Sequence, residues 1–271
     1  MATVQYELKE TLLRVEGINL SYGDRPVLRD VNIEIKNIVR PGVKQGQVVA
    51  LLGPSGMGKT CLFRILAGLS APDSGRVLVN ADQTEVQRGM VGVVAQNYPL
   101  FAHRTVMGNL MVAASDGPDK KKKALGLLDR FGLAEHASKY PVQLSGGQRQ
   151  RVAIAQQFMC SEHFLLMDEP FSGLDVVALQ EVIKFIEEMA QSDELKTFIV
   201  VTHDISSALE VADTIWVLGR DRDGEGKPIP GARIQKSYNL IDCGLAYQEG
   251  ISTMPEYLAL RQEIRDLFQR L

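Results

Sequence analysis

The sequence predicts an α/β protein with a mainly parallel sheet, an antiparallel β-subdomain at the N-terminus and a helical insertion in the middle. Three patterns lead to this prediction. Short apolar runs alternate with helical patterns over much of the chain, which is typical of parallel strands buried on both faces. Residues 12–19 and 31–38 instead alternate apolar and polar side chains, as half-buried antiparallel strands do. Residues 99–141 show helical spacing and no strand pattern.

The elements before the insertion surround one glycine-rich stretch. Apolar runs predict the strands, and a helical spacing of apolar residues directly follows the glycines. In order, we expect strands at 12–19, 31–38 and 48–52, a helix at 61–67, and strands at 74–80 and 90–95.

Strands and helices alternate again after the insertion. Helices at 105–114 and 120–131 belong to the insertion, which we place at about residues 99–160. The later elements are a helix at 148–159, a strand at 164–167, a helix at 179–190, a strand at 198–201, a helix at 205–211 and a strand at 215–218. We expect residues 1–218 to form one domain. Residues 219–271 should form a loop and a helical tail packed on that domain, because the spacing at 257–268 is amphipathic.

The composition is that of a globular protein without a nucleic-acid-binding surface. Hydrophobic residues make up 45% and charged residues 23% of the 271, and the net charge is −3. No apolar run approaches the roughly 18 residues of a membrane span, and residues 1–7 lack the pattern of a secretion signal. The widely spaced Cys61, Cys160 and Cys243 favour reduced thiols over disulfides or a zinc site. These features predict a cytoplasmic location.

The glycine-rich residues 53–60, called the P-loop below, match the phosphate-binding pattern G-x-x-x-x-G-K-[ST] without a mismatch. Glycines permit a tight turn whose N–H groups point into one concavity. Lys59 is expected to reach the β and γ phosphates of a nucleotide, and the Thr60 hydroxyl to ligate Mg²⁺. The next residue, Cys61, is expected to be a small buried side chain.

Polar residues follow the other buried strands. Gln96 follows one strand, Asp168 and Glu169 follow the next, and Thr202 and His203 follow a third. Because ligands bind at the carboxyl ends of parallel strands, these residues and the P-loop should converge on one phosphate site. Asp168 fits a magnesium-holding carboxylate. Glu169 fits a group that orients or deprotonates a water for attack on the γ-phosphate, which His203 is expected to contact.

A second anion cradle is predicted at the start of the helix after the insertion. A serine N-cap followed by two glycines leaves several N–H groups unobstructed. One nucleotide does not need two such cradles from one chain. The cradle consists of Leu144, Ser145, Gly146, Gly147 and Gln148.

This ordered set of motifs resembles that of the ATP-binding-cassette (ABC) ATPases, which have a P-loop NTPase fold. The resemblance covers about residues 12–218. It rests on the P-loop, Gln96, the second cradle, residues 164–169, residues 172–175 and His203. It implies an ATPase that hydrolyses ATP to ADP and phosphate with Mg²⁺.

The resemblance also implies a role for each motif. Tyr22, which by itself fits either turn packing or base stacking, corresponds to the aromatic residue that stacks on adenine. Ser145 and Gly147 correspond to the motif that binds the γ-phosphate of ATP held by a second subunit, and Asp175 to the loop that couples the two sites. The implied nucleotide-binding residues are Tyr22, Gly53, Pro54, Ser55, Gly56, Met57, Gly58, Lys59, Thr60, Cys61, Ser145, Gly147, Gln148 and Asp175. The implied catalytic residues are Lys59, Gln96, Glu169 and His203, and the implied magnesium ligands are Thr60, Gln96 and Asp168.

The chain carries one P-loop and one second cradle, so the resemblance implies a second ABC ATPase subunit. A homodimer would be self-sufficient because no motif is degraded. Gln156 and Gln157 stand where relatives often have an arginine in the helix after the cradle, which we expect to weaken a surface ion pair.

Transport would require separate integral-membrane permease subunits and, for import, an extracytoplasmic substrate-binding protein. Relatives receive the permease near residues 96–104. There Tyr98, Pro99 and Phe101 fit either an exposed docking surface or packing within the insertion. The tail is similar to that of nitrate, sulfonate and taurine importer ATPases. We therefore predict the ATPase subunit of a small-solute importer, on the cytoplasmic face of the membrane. The alternatives are a soluble ABC ATPase that moves no solute and the ATPase subunit of an exporter.

Overall fold

The computed structural model describes residues 5–41, 46–96, 98–114, 117–160, 164–190, 197–246, 248 and 250–271, without the side chain of Cys160. The first four residues of the predicted signal-free N-terminus lie outside these ranges. The strands are β1 Glu7–Tyr22, β2 Arg25–Val39, β3 Gln47–Leu52, β4 Ser74–Val79, β5 Thr84–Glu85, β6 Gly92–Val94, β7 Phe164–Asp168, β8 Thr197–Thr202, β9 Thr214–Gly219 and β10 Arg233–Asn239. The α-helices are α1 Lys59–Leu66, α2 Val106–Ala113, α3 Lys120–Arg130, α4 Gly146–Cys160, α5 Val176–Ala190, α6 Ile205–Val211 and α7 Pro255–Arg270, and 3₁₀ turns lie at Ala134–His136, Pro141–Gln143 and Ile251–Thr253.

The described strands form two sheets. A four-stranded sheet has the order β2-β1-β4-β5, and all of its pairs are antiparallel. A six-stranded sheet has the order β10-β9-β3-β8-β7-β6, in which every pair is parallel except β10 with β9. The predicted α/β fold, with an antiparallel N-terminal sheet and a mainly parallel main sheet, is confirmed.

Strand β3 shows why the central strands read as continuous apolar runs. All six of its residues are buried. Val48, Ala50 and Leu52 pack into the core beneath helices α4 to α7, whereas Val49 and Leu51 pack into the core formed with α1 and the antiparallel sheet. Side chains with a period of two along β3 therefore contribute to two apolar layers, one on each face of the sheet.

Helices α2 to α4 lie between β6 and β7, and their sequences show helical spacing as expected. The expectation that Gln156 and Gln157 occupy a surface ion-pair position is wrong. Gln156 is only 7% exposed, and its amide donates to the Asn109 carbonyl at 3.1 Å. Gln157 accepts from the Val93 N–H at 3.0 Å. Neutral amides satisfy these backbone groups without the cost of burying a charge.

The tail contributes more to the main sheet than its sequence suggests. Strand β10 was not predicted, because its polar sequence has no apolar run, and only Tyr238 of it is buried. It pairs with β9 at the edge of the sheet. Helix α7 packs Tyr257, Leu260 and Ile264 into the core beneath α6. The division at residue 218 stays a prediction. Within the described ranges, the structure contains no helix with the length and apolar character to cross a bilayer.

Candidate nucleotide-binding site

The P-loop links the end of β3 to the start of α1, and two of its glycines are required by close contacts. A Cβ on Gly53 would lie 2.5 Å from the carbonyl oxygen of Leu218, at the end of the neighbouring strand β9. Gly58 has φ +85°, and a Cβ there would lie 2.9 Å from a methyl group of Val27. Gly58 is the N-cap of α1, which no side chain caps. The first N–H groups of α1 therefore suit an anion such as a phosphate.

Lys59 begins α1 and is held across the P-loop. Its side chain is nearly buried, and the amine donates to the carbonyls of Gly53 at 2.8 Å and Pro54 at 3.2 Å. The same amine lies 3.8 Å from Glu169 Oε1. Burial lowers the pKa of Lys59, while the charges of Glu169 and Asp168 oppose that shift. The P-loop cation thus faces the carboxylates at the end of β7.

Glu169 follows β7 with a backbone φ of +49°, in the left-handed region that non-glycine residues rarely adopt. Such a conformation costs about 1–3 kcal/mol and persists only where the surroundings fix it. The fixing contacts come from the adjacent strand β8. The Glu169 N–H donates to Val201 at 2.8 Å, and the Thr202 hydroxyl donates to Glu169 Oε2 at 3.2 Å. His203 Nδ1 lies 2.9 Å from both carboxylate oxygens.

These contacts bring Lys59, Glu169 and His203 together, as the strand-end argument predicted. The buried Thr202 stands directly before His203 at the same strand end, as the strand-end argument placed it. Sequence reasoning assigned it no separate role, because a threonine at the end of a strand is ordinary in β-structure.

Asp168 and Thr60 fit a magnesium ion bound together with a triphosphate. Burial is the main cause that raises the pKa of Asp168, and the charge of Glu169 raises it further, while Lys59 lowers it. A divalent cation would favour the charged form of this carboxylate. The described residues contain no cluster of three or more His, Cys, Asp or Glu that could hold a metal by themselves. Phosphate and water oxygens would have to complete the shell, which is how Mg²⁺ is usually held at phosphate sites.

Tyr22 and Cys61 stand side by side next to the P-loop. Tyr22 ends β1, is 66% exposed, and its hydroxyl lies 3.8 Å from the Cys61 sulfur. The ring therefore offers an open face on which a base could stack. Cys61 was expected to be buried, but it is partly exposed, and its sulfur faces the Tyr22 hydroxyl.

Gln96 is exposed and follows β6 at the edge of the main sheet. Of the nearby docking candidates, Tyr98 packs inward. Its hydroxyl donates to the Pro170 carbonyl at 3.2 Å, and burial raises its pKa to about 12. Pro99 is exposed, and Phe101 is 44% exposed. Pro99 and Phe101 therefore contribute directly to the outer surface of this segment.

The second anion cradle forms the N-terminus of α4. The Gln148 N–H donates to Ser145 Oγ at 3.2 Å, and the Ser145 N–H donates to Gln148 Oε1 at 2.9 Å. This reciprocal arrangement is a capping box. Ser145 and Gly146 are exposed. Among the described residues, no hydrogen bond or ion pair joins this cradle to the P-loop of the same chain.

Asp175 lies at the N-terminus of α5 and is exposed. Its carboxylate accepts from the N–H groups of Val177 at 3.0 Å and Ala178 at 2.9 Å, so it acts as an N-cap. The two following side chains, Val176 and Val177, are also highly exposed. Asp175 and the second cradle are thus outward-facing helix starts, separate from the cluster around Lys59.

Comparison with known proteins identifies the family. Residues 37–172 match the family model described as ABC transporter. The chain is 41% identical over 211 residues to the probable sulfate/thiosulfate import ATP-binding protein CysA of Chlorella vulgaris, covering 75% of this chain and 86% of that protein. It is 38% identical over 221 residues to the L-cystine import ATP-binding protein TcyC of Bacillus subtilis, covering 75% of this chain and 85% of that protein.

A solved structure shows the same fold over nearly the whole chain. It is cbiO1 from Clostridium perfringens, described as part of the ABC transporter complex cbiONQ, with a TM-score of 0.72 and 27% identity over 97% of this chain and 96% of that one. Other sulfate/thiosulfate import relatives at 37 to 40% identity are longer, and the match covers 57 to 64% of their length. The chain therefore belongs to the ABC transporter family.

Proposed function

We propose that this chain hydrolyses ATP in an importer of a small solute and that ATP-driven closure of two such cassettes moves separate permease subunits. One observation carries the proposal. The carboxylate of Glu169 lies 3.8 Å from the amine of Lys59 and 2.9 Å from the ring nitrogen Nδ1 of His203, beside an uncapped helix N-terminus. This arrangement can hold a γ-phosphate and direct a water to it.

The proposed reaction assigns one task to each side chain. Lys59 and the N–H groups of α1 would hold the β and γ phosphates and stabilise negative charge as it develops on them. Glu169 would orient the attacking water and accept its proton, while Thr202 and His203 fix the carboxylate. Thr60 and Asp168, with Gln96, would hold Mg²⁺, which neutralises phosphate charge when bound. Tyr22 would stack on the base, and the products would be ADP and phosphate.

The exposed second cradle supports a shared site. Ser145 is exposed and Gly147 is partly exposed, and among the described residues no hydrogen bond joins them to the P-loop of the same chain. A second copy could present its cradle to the γ-phosphate bound here, with Asp175 and the exposed valines after it lying between the two sites. We therefore propose a homodimer in which each nucleotide is held between two chains.

The other proposed partners are integral-membrane permease subunits and, through them, an extracytoplasmic substrate-binding protein. The names of the relatives refer to import of sulfate, thiosulfate and cystine. These names support a small solute taken up by an assembly on whose cytoplasmic face this chain would lie, and the proposal extends to the nitrate, sulfonate and taurine class that the tail was expected to resemble. The solute itself would be selected by the permease and the binding protein.

Co-purification from gently extracted membranes tests this proposal. We expect the tagged chain to carry a multi-span membrane protein at about one per cassette. Phe101→Glu should reduce the recovery of that partner, because it places a charge on the exposed segment after Gln96. Leu125→Glu is the matched control, since Leu125 is similarly exposed on α3 but outside that segment. A chain that is absent from membranes and carries only soluble partners would instead indicate an ABC ATPase that moves no solute.

Alkylation of Cys61 tests the nucleotide site independently of transport. N-ethylmaleimide should weaken ATP binding at least about tenfold, or ~1.4 kcal/mol, because the adduct fills the space beside Tyr22. Bound ATP should slow the modification, and Cys61→Ser should be resistant while Cys243→Ser remains sensitive. Binding of a fluorescent ATP analogue before and after treatment measures the effect. Full binding by a chain shown by mass spectrometry to be alkylated at Cys61 would remove Tyr22 and Cys61 from the site.

A further inference from the structure

The side chain of Gln148 is held at both ends of its amide. Its Oε1 accepts from the backbone N–H of Ser145 at 2.9 Å, and its Nε2 lies 2.8 Å from Nε2 of His136. His136 belongs to the 3₁₀ turn Ala134–His136, which comes before the cradle in the helical part of the chain. A side chain from a separate turn therefore fixes the orientation of the second cradle's last residue.

The donors and acceptors of this chain of bonds can be assigned. A backbone N–H can only donate, so the Gln148 atom that faces Ser145 must be the carbonyl oxygen. The other end of the amide is then the NH₂ group, which can only donate. His136 Nε2 must accept this bond, so the neutral ring carries its proton on Nδ1. A ring with its proton on Nε2 would place that N–H donor against the NH₂ donor of Gln148.

The His136 ring makes this contact at some cost. Its Nδ1 is buried, and no partner reaches it within the part of the chain that the structure describes. A buried N–H without a hydrogen-bond partner is unfavourable, so this position does not satisfy both ring nitrogens of His136. The contact that it does make is the one to Gln148.

The same network leaves the Ser145 hydroxyl free to act as a donor. Its oxygen accepts from the Gln148 N–H at 3.2 Å, and among the described residues no acceptor takes its hydrogen. Ser145 is exposed. The hydroxyl hydrogen and the N–H groups of Gly146 and Gly147 at the start of α4 are therefore available to bind an oxyanion from outside the chain.

We propose that His136 is a positioning residue of the second anion cradle, which it holds in its phosphate-binding form by accepting a hydrogen bond from Gln148. The role rests on the proposed shared site, because the phosphate that the cradle meets belongs to ATP on the partner chain. Loss of the His136 acceptor should therefore weaken ATP-driven pairing of two chains and leave binding of ATP to the chain's own P-loop unchanged.

The test compares variants in a chain that carries Glu169→Gln, which is expected to bind ATP without hydrolysing it. His136→Leu removes the acceptor, whereas His136→Gln returns an acceptor oxygen at a similar reach. We expect His136→Leu to raise the ATP concentration for half-maximal dimerisation, measured by light scattering, about five- to tenfold. His136→Gln and the control Glu135→Gln, from the same turn, should stay within about twofold. ATP affinity at low protein concentration, where the chain is monomeric, should not change.

The outcomes separate two questions. If the Glu169→Gln parent stays monomeric with ATP, the shared site is wrong, and so is the role of His136 that depends on it. If the parent dimerises and His136→Leu dimerises at the same ATP concentration, only the role of His136 is wrong. Loss of nucleotide binding by monomeric His136→Leu would also contradict a role confined to the second cradle.

A second measurement observes the His136 ring directly in the chain without a substitution at this position. In the full chain with ¹⁵N-labelled histidine, the ring nitrogens of four histidines can be observed by NMR. The spectrum of His136→Gln identifies the His136 signals, and we expect them to show a neutral ring protonated on Nδ1. A proton on Nε2 would contradict the proposed bond from Gln148, because both groups would then be donors.

Discussion

Replacing Glu169 by Gln is expected to slow ATP hydrolysis by about 10²–10⁴ while ATP binding stays unchanged. Glutamine has the size of glutamate, and its carbonyl oxygen can still accept from Thr202 or His203. It cannot take the proton of an attacking water. The effect should therefore appear in the turnover number, with little change in affinity for ATP.

Phosphate release under saturating ATP measures this effect, and nucleotide binding at equilibrium measures the affinity. Glu188→Gln is a matched control, because Glu188 is exposed on α5 and forms a surface ion pair with Lys184 at 3.9 Å. A Glu169→Gln chain with near-normal turnover would exclude Glu169 as the general base. The water would then have to be positioned by the remaining groups of the cluster.

The parts of the candidate site that could be predicted from sequence are those whose conformation depends on residues that are close in the sequence. The P-loop motif follows an apolar strand and opens a helix, so its backbone conformation is set by its own glycines and its immediate neighbours. Asp168, Glu169 and His203 were found because they end apolar runs. In a parallel sheet all such ends lie at one edge, and the adjacent order of β3, β8 and β7 places them together.

Contacts between distant segments could not be predicted in the same way. The inward packing of Tyr98 on Pro170, and the bond from Gln156 to Asn109, depend on how helices and loops meet across the fold. Strand β10 lies at the edge of the sheet, where it is held by hydrogen bonds to β9. Because its side chains are mostly not buried, its sequence shows no apolar run. The hydrogen bond between His136 and Gln148 joins a 3₁₀ turn to the second cradle, and neither sequence indicates that the two segments are in contact.

Mixing two inactive chains is expected to restore ATP hydrolysis if each nucleotide is shared between subunits. Ser145→Arg should disable the second cradle and leave the P-loop of its chain intact, whereas Lys59→Ala should disable the P-loop and leave the cradle intact. In a mixed dimer one composite site combines the two intact parts, and the other combines the two damaged parts. If chains pair at random and the sites act independently, an equal mixture should reach about a quarter of the unmodified activity.

The expected recovery of ATP hydrolysis depends on the separation of the P-loop and the second cradle within each chain. Lys59 bonds the carbonyls of its own P-loop, while Ser145 caps a helix that faces outward, so each substitution should damage only its own half of a composite site. An equal mixture of Lys59→Ala and Lys59→Met chains is the control, since it contains no intact P-loop and should stay inactive. ATPase activity measured across mixing ratios should peak near equal amounts. A mixture no more active than either chain alone would show that the second cradle does not complete the partner's nucleotide site.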